Sequence, residues 1–550
     1  MSDHERLEQL LDRIDGRQYG AYRDLKGRWR LGGITLFVDH VQGDPFAAPT
    51  RVRLRTASDL DPGMHRDSDQ RLAAEDWLLR RFGEGLFGAS RGSGKSGRLY
   101  CYRPGPEVVE RSGVRLLRDG DVEVRFSMGL PARGRRILGR QAWEMLTHDV
   151  PRAARRLEPD PSLEVQVRSV VAQRTLRRQL RDRGLVAFVA DGAILPRASG
   201  IDPQPMANAV PFESPPSMRV TLETPSGEVS GMGLQGGTTL VVGGGFHGKS
   251  TLLQAIQRGH LDHVPGDGRE RVVADPDTVK VRAEDGRRVR AVDISPFLGD
   301  LPGGRTTRPF DTEDASGSTS QAAAIVEAVE AGARVLLLDE DTSATNLLVR
   351  DERMRRLIPR DREPITPLVE RVRQMHEQWG VSIVMVVGGV GDYLAVADRV
   401  IAMDHFQPRE VTAEARALAP TRPSAPGPLP PIEDRVPLRE GLRPDKVRAY
   451  DERRLRYGQG EVELSAVEQI LDSAHAATIG EALRLLHEQL VNGRRTLRQV
   501  LDALDAILDD EGVEALSPWS HPTSDLVRPR RHEVAAALSR LRTLEVATSR

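Results

Sequence analysis

What this chain has little of already excludes a good deal. One cysteine, Cys101, stands among 550 residues, which rules out an internal disulfide and any zinc site built on several cysteines. No stretch approaches the roughly 18 consecutive apolar residues of a membrane-spanning helix. The N-terminus, MSDHERLEQLLDRID, is charged throughout and lacks the apolar core of a signal peptide. A soluble, cytoplasmic protein with no membrane contact is therefore expected. The net charge is −1, so no global field advertises nucleic acid, and any such surface must be local. Lysine is scarce too, with 5 residues against 74 arginines. Two of the five, Lys95 and Lys249, lie in Gly-Lys-Ser triplets, and that placement asks for an explanation. The length favours two to four domains.

The explanation for one triplet is local. The stretch LVVGGGFHGKST, Leu240 to Thr251, holds G-x-x-x-x-G-K-S in register: Gly243, Gly244, Gly245, Phe246, His247, Gly248, Lys249 and Ser250. An apolar run precedes it and a helical pattern, Thr251 to Arg258, follows, which is the strand–loop–helix setting of a phosphate-binding loop. Its backbone N–H groups curl around an anion, and the helix N-terminus adds partial positive charge. Lys249 is expected on the β/γ-phosphates of ATP, with Ser250 on Mg²⁺ and Thr251 beside it. Downstream, Arg334 to Leu338 reads as an apolar strand ending in Asp339 and Glu340. Such a strand delivers Asp339 beside Mg²⁺, holding it through water. Glu340, one residue on, is placed to act on the water that attacks the γ-phosphate. His247 is either a γ-phosphate contact or a solvent-facing loop residue.

The other triplet fails the same test. The place of the first glycine is taken by Ala89, no apolar strand leads in, and Leu99 to Tyr102 reads as a strand where a helix is required. A tight turn at Gly92–Gly97 is expected, with contact to a phosphate backbone as the alternative. Around it, residues 1–160 read as an α+β domain, with strands at Ile34–Val38, Arg51–Arg55 and Val122–Phe126. Arg51, Arg53 and Arg55 share one strand face, either a charged edge or a phosphate-tracking surface. Arg133, Arg135, Arg136 and Arg140 form the densest basic patch, either a solvated loop or an RNA or DNA contact.

Just upstream of the Asp339 strand, ASGSTSQ at Ala315 to Gln321 leads into a helical segment, and DTSATN at Asp341 to Asn346 follows Glu340. Here the chain resembles ABC-class ATPases, whose Leu-Ser-Gly-Gly-Gln signature, helix and Asp-Glu strand map on without gaps. The wording of Glu313–Gln321, Gly388–Tyr393 and Asp39–Phe46 is similar to a soluble family labelled predicted ATPases of the ABC class. That resemblance implies ATP and Mg²⁺ as ligands. It also implies a homodimer on ATP binding, in which Ser316, Gly317 and Ser318 of one chain close over the γ-phosphate held by the other. The switch histidine of the class falls on Gly388, which implies slow turnover. The stretch from Lys249 to Ser316 is short for the helical part through which transporters grip a membrane partner.

Residues 161–418 are thus expected to be an α/β, P-loop ABC-type ATPase domain. The strands at Leu185–Val189 and Met218–Leu222 are expected to begin its βαβ nucleotide fold. A Pro-rich linker, 419–440, should lead to a C-terminal helical domain, 441–550. That domain ends in a basic helix from Arg531 to Leu544, with Arg540 and Arg542, as a second candidate surface for RNA, DNA or protein. The function expected is an ATP-driven switch acting on a nucleic acid or protein partner. The alternative is a nucleotide-regulated RNA- or DNA-binding protein whose hydrolysis is slow or incidental.

Overall fold

The computed structural model describes residues 1–86, 92–200, 202–299, 301, 304–351, 353, 357–358, 362–423 and 426–547. Ala89, which breaks the first Gly-Lys-Ser motif, and Ser424 and Ala425 of the Pro-rich stretch lie outside them. The chain divides into two compact units, Met1–Val171 with Glu511–Arg528, and Ala172–Asp510 with Pro529–Arg550. Among the described residues no helix is long and apolar enough to cross a membrane.

The first unit is built on an antiparallel sheet. Strands β1 (Gly27–Leu31), β2 (Ile34–His40), β3 (Thr50–Ala57) and β4 (Asp121–Met128) run side by side. Alternation in β3 buries Val52 and Leu54 and turns the arginines outward, but not to open solvent. Arg53 pairs with Asp39 at 2.7 Å and Glu123 at 3.1 Å, Arg55 meets Glu123 at 3.0 Å, and Arg51 stacks over Trp519 at 4.9 Å. Arg53 and Arg55 are thus held by carboxylates of neighbouring strands, which weakens this face as a phosphate track. Residues 511–528 complete the unit. Ser112 Oγ donates to the Thr523 carbonyl (2.7 Å) and accepts the Leu526 N–H (3.0 Å), and buried Arg125 reaches Glu514 at 2.6 Å.

The Gly92–Gly97 loop belongs to this framework. Ser96 is fully buried and its Oγ accepts the Ala132 N–H, while the Lys95 N–H bonds the Pro45 carbonyl at 2.9 Å. A Cβ on Gly92 would stand 2.0 Å from the Ala132 carbonyl oxygen, so its glycine serves a close backbone approach. The loop is a packed turn leading into the short strand Leu99–Tyr100.

The largest sheet of the second unit, among the described residues, carries the candidate site. Six strands lie in the order Thr278–Lys280 (β7), Val335–Asp339 (β8), Ser382–Val386 (β9), Thr238–Val242 (β6), Arg399–Asp404 (β10) and Gln407–Glu410 (β11). All neighbours are parallel except the β10–β11 hairpin. Both faces are covered, so β8 and β9 are apolar without alternation in their composition. Their side chains still alternate in direction. Leu336, Leu338, Ile383 and Met385 pack with Ala322, Ile325 and Val326 of the helix Gly317–Glu330. Val335, Leu337, Val384 and Val386 pack with Leu252, Leu253 and Ile256 of the helix Lys249–Arg258. Each such side chain contributes about 1.5–3 kcal/mol on full burial.

Three expectations change here. Leu185–Ala190 (β5) and Arg219–Thr224 do not enter the parallel sheet; with Gly227–Gln235 and Val272–Ala274 they form a separate antiparallel one. The burial of Arg219–Thr224 alternates, as suits a strand with one wet face. Beyond residue 440 the chain is not all helix. Val447–Ala449, Arg454–Tyr457 and Gly460–Glu463 form a three-stranded sheet, because Leu455 and Tyr457 alternate with arginines and a Gly458–Gly460 turn closes the hairpin. The Pro-rich stretch is not a free spacer either. Arg371 and Gln374 donate to the Gly427 carbonyl at 2.9 and 2.7 Å, and Trp379 Nε1 donates to that of Pro430 at 2.9 Å.

Candidate functional site

In a parallel sheet the carboxyl ends of neighbouring strands converge on one edge, where ligands bind. Here β6 ends in the glycine loop, β8 in Asp339–Glu340, β9 in Gly388–Gly389 and β10 in Asp404–His405. These four strands are contiguous, so segments spread over 160 residues of sequence meet at one edge.

The loop needs its glycines at two positions. Gly243 has φ +137° and Gly248 φ +97°, and a Cβ would meet the Met403 carbonyl oxygen at 2.5 Å or the Phe406 ring at 2.7 Å. Phe246 also lies in the left-handed region (φ +64°) with its ring fully exposed. Gly248 caps the helix Lys249–Arg258, whose N-terminal N–H groups open towards the loop. The Lys249 ammonium turns back over the loop, donating to the carbonyls of Gly243 (2.8 Å) and Gly244 (2.7 Å). Ser250 Oγ stands 3.5 Å from Asp339 Oδ2, so a hydroxyl and a carboxylate oxygen share one corner. Thr251 follows on the first turn of the same helix. Glycine cradle, helix N-terminus, ammonium and the Ser250–Asp339 oxygen pair suit a polyphosphate with a hard divalent cation.

Glu340 is held by backbone. Its Oε2 accepts the N–H groups of Gly388 (2.6 Å) and Gly389 (2.9 Å). Position 388 therefore contributes an amide where its side chain contributes nothing, and the sequence reading missed both the amide and Gly389. The signal was present as two glycines directly after an apolar strand, the same grammar that marks the phosphate loop. Gln321 is a second residue whose role the sequence does not show. Its side chain donates to Ser343 Oγ (2.9 Å) and accepts the Ala344 N–H (2.8 Å), while Ser343 Oγ donates to the Asp339 carbonyl (2.8 Å). One glutamine thus fixes the loop leaving the carboxylate strand to the helix Gly317–Glu330.

Ser316 caps that helix and is exposed, Gly317 is half-buried, and Ser318 is buried with its hydroxyl 3.4 Å from that of Ser316. Ser316 Oγ also lies 3.0 Å from Thr319 Oγ1, so these groups bond within their own turn. His247 points sideways to the β10–β11 turn: its Nδ1 lies 3.0 Å from Asp404 Oδ1 and accepts the His405 N–H at 2.9 Å.

The basic surfaces divide. Arg133, Arg135, Arg136 and Arg140 are all exposed, with Arg135 on Asp44 (2.7 Å) and Arg140 near Glu144 (3.7 Å). The final helix is shorter than the sequence pattern suggests, Arg531–Ser539, and its arginines are engaged. Arg531 pairs with Asp502 and Asp505, Arg540 meets Glu284 at 2.8 Å, and Arg542 donates to the Glu313 and Gly286 carbonyls. A phosphate at this helix would have to displace internal partners, which weakens it as a nucleic-acid surface.

Comparison with known proteins bears on the family. Residues 4–158 match a family model described as "ATPase of the ABC class N-terminal", 159–428 a "P-loop domain" of ABC ATPases, and 446–547 an "MRB1590 C-terminal domain". The uncharacterized protein MJ1628 of Methanocaldococcus jannaschii is 29% identical over 273 residues, which cover 47% of this chain and 59% of that protein. The chain thus spans about three fifths of that relative's length. Among solved structures, the ADP conformation of MJ1267, an ATP-binding cassette of an ABC transporter, is 12% identical with a TM-score of 0.23, covering 36% of this chain and 92% of that one. For cbiO1 from Clostridium perfringens, part of the ABC transporter complex cbiONQ, the identity is 14%, the TM-score 0.23 and the coverage 41% and 87%. With its N-terminal and P-loop parts both matched, the chain belongs to the ABC class of P-loop ATPases.

Proposed function

We propose that this chain binds and hydrolyses ATP at a composite site completed by a second copy, and uses the cycle as a switch on a nucleic acid or protein partner. The observation that carries the reading is the meeting of the glycine loop, Lys249, the Ser250–Asp339 pair and Glu340 at the ends of three adjacent parallel strands. Gly243 to Gly248 would cradle the β-phosphate through backbone N–H groups, and Lys249 would exchange two loop carbonyls for phosphate oxygens. Ser250 and Asp339 would hold Mg²⁺, which when bound neutralises charge on the β- and γ-phosphates. Glu340 would orient the attacking water and take its proton as general base. One chain offers one glycine loop and one Ser316–Gly317 helix start, with Ser318 behind it. Two chains facing each other would therefore make two complete sites, with each exposed Ser316 on the partner's γ-phosphate. In this reading 161–418 is the ATPase domain, 1–160 an α+β domain offering a nucleic-acid contact, and 419–440 joins them to 441–550.

Dimerisation is the direct test. With ATP present, the Glu340→Gln chain should double its mass in light scattering, and adding Ser316→Arg should abolish the doubling. A Glu340→Gln chain that stays monomeric in saturating ATP would sink the composite site.

A second reading, a nucleotide-regulated RNA- or DNA-binding protein with incidental hydrolysis, is favoured by two observations. Gly388 brings no side chain to the γ-phosphate edge, and four arginines stand exposed at 133–140. Single-stranded RNA should then bind with an affinity that falls steeply with salt. Replacing Arg133 and Arg136 together should reduce the slope of log K against log salt by about 1–2. Binding that ignores salt, or no binding in low salt, overturns this reading.

A further inference from the structure

The turn that leans on the phosphate loop carries chemistry that ATP hydrolysis does not use. His247 comes from the loop; Asp404 ends β10 and His405 begins the turn to β11, 158 residues on. His405 Nδ1 lies 2.7 Å and His247 Nδ1 3.0 Å from the same Asp404 Oδ1, and the three atoms fall within 4.8 Å of one another. The two imidazoles stand edge to face, with ring centroids 4.8 Å apart.

Protons alone satisfy this arrangement poorly. His247 Nδ1 accepts the His405 N–H at 2.9 Å, so its one in-plane position is a lone pair. That lone pair also faces a carboxylate oxygen at 3.0 Å, which brings two acceptors together. Placing a proton on Nδ1 restores a donor for Asp404 but sets it against the His405 N–H. The turn is strained as well. His405 and Phe406 have φ of +47° and +66°, where a two-residue hairpin favours Asn or Gly, and left-handed residues of this kind cost about 1 kcal/mol or more each.

We propose that His247, Asp404 and His405 form a site for a divalent transition-metal cation of the Zn²⁺, Co²⁺ or Ni²⁺ class, separate from the Mg²⁺ position at Ser250 and Asp339. A tetrahedral ion with bonds of about 2.0–2.2 Å sets its donors roughly 3.3 Å apart. The spacings here bracket that value, and two of the three side chains are largely exposed and free to adjust. Two imidazoles and one carboxylate select such metals over Mg²⁺ or Ca²⁺, and water completes the shell on the open side. The ion relieves the acceptor–acceptor approach by taking the His247 lone pair, and the His405 N–H turns to solvent. The Phe406 N–H to His247 carbonyl bond, 3.0 Å, already joins turn to loop, so the cation adds a second tie beside Gly248.

The test uses the full chain, free of nucleotide and Mg²⁺, titrated with Co²⁺ and read by its visible d–d absorption, with Zn²⁺ as competitor. One Co²⁺ per chain with a four-coordinate spectrum is expected, displaced by Zn²⁺. His405→Gly and Asp404→Asn should each weaken binding at least tenfold. His405→Gly also removes backbone strain, so its thermal midpoint should not fall, which separates a lost ligand from a lost fold. Asp339→Asn should leave the Co²⁺ titration unchanged. Absence of a saturable Co²⁺ signal in the unmodified chain overturns the proposal, as does a signal that survives His405→Gly and Asp404→Asn or disappears with Asp339→Asn.

Discussion

Glu340→Gln should lower steady-state phosphate release by about 10²–10⁴-fold, the range a positioned general base supplies, while ATP affinity stays within a few-fold of the original. The geometry makes this a clean substitution. Glutamine keeps one side-chain oxygen, so the Gly388 and Gly389 N–H groups at 2.6 and 2.9 Å still find an acceptor and the residue stays where it is. What is lost is the basicity of the second oxygen. The amide pair has its own signature. A Cβ at Gly388 would lie 3.9 Å from Glu340 Oε2, an ordinary contact, so Gly388→Ala should turn over nearly as the parent does. Gly389→Pro deletes one N–H and should lower turnover while nucleotide affinity holds. Turnover by Glu340→Gln equal to that of the parent would remove the base assignment.

Lys249→Ala should weaken ATP binding about 100-fold or more, measured by titration calorimetry or a fluorescent nucleotide. Hydrogen bonds to a charged group contribute about 1.5–3 kcal/mol each, and the ammonium is placed to make two. Because it now donates to Gly243 and Gly244, part of that gain replaces bonds already present. The net loss is therefore set at about 3 kcal/mol, and tenfold in affinity corresponds to about 1.4 kcal/mol. Lys95→Ala is the matched control. Its triplet leads into a strand, its Ser96 is buried against Ala132, and ATP affinity should not change.

The phosphate loop and the carboxylate strand were legible because each is a local grammar: an apolar strand, a fixed run of glycines or acids, then a helix or turn. The amide tether of Glu340 was not, since backbone N–H groups have no letter in a sequence and position 388 was judged by its missing side chain. The arginine-rich segments misled for a different reason. Arg53, Arg531 and Arg540 look free until Asp39, Asp505 and Glu284 arrive from other elements. Sheet membership was hidden in the same way. The apolar runs of β5 and β8 read alike, yet one lies in an antiparallel sheet and the other in the parallel core, a matter of partners and not of composition.

The return of residues 511–528 to the first unit sets a schedule for synthesis. The strands around Arg125 leave the ribosome well before Glu514, Thr523 and Leu526, which bond Arg125 and Ser112 from 389 to 414 residues further on. At about 5–20 residues per second, the N-terminal sheet waits on the order of 20–80 s for these pieces. During that interval Ser112 has neither of these partners and Arg125 relies on Glu123 alone among its carboxylates. A ribosome that stops before residue 511 would release a chain whose first unit protein quality control meets as unfinished.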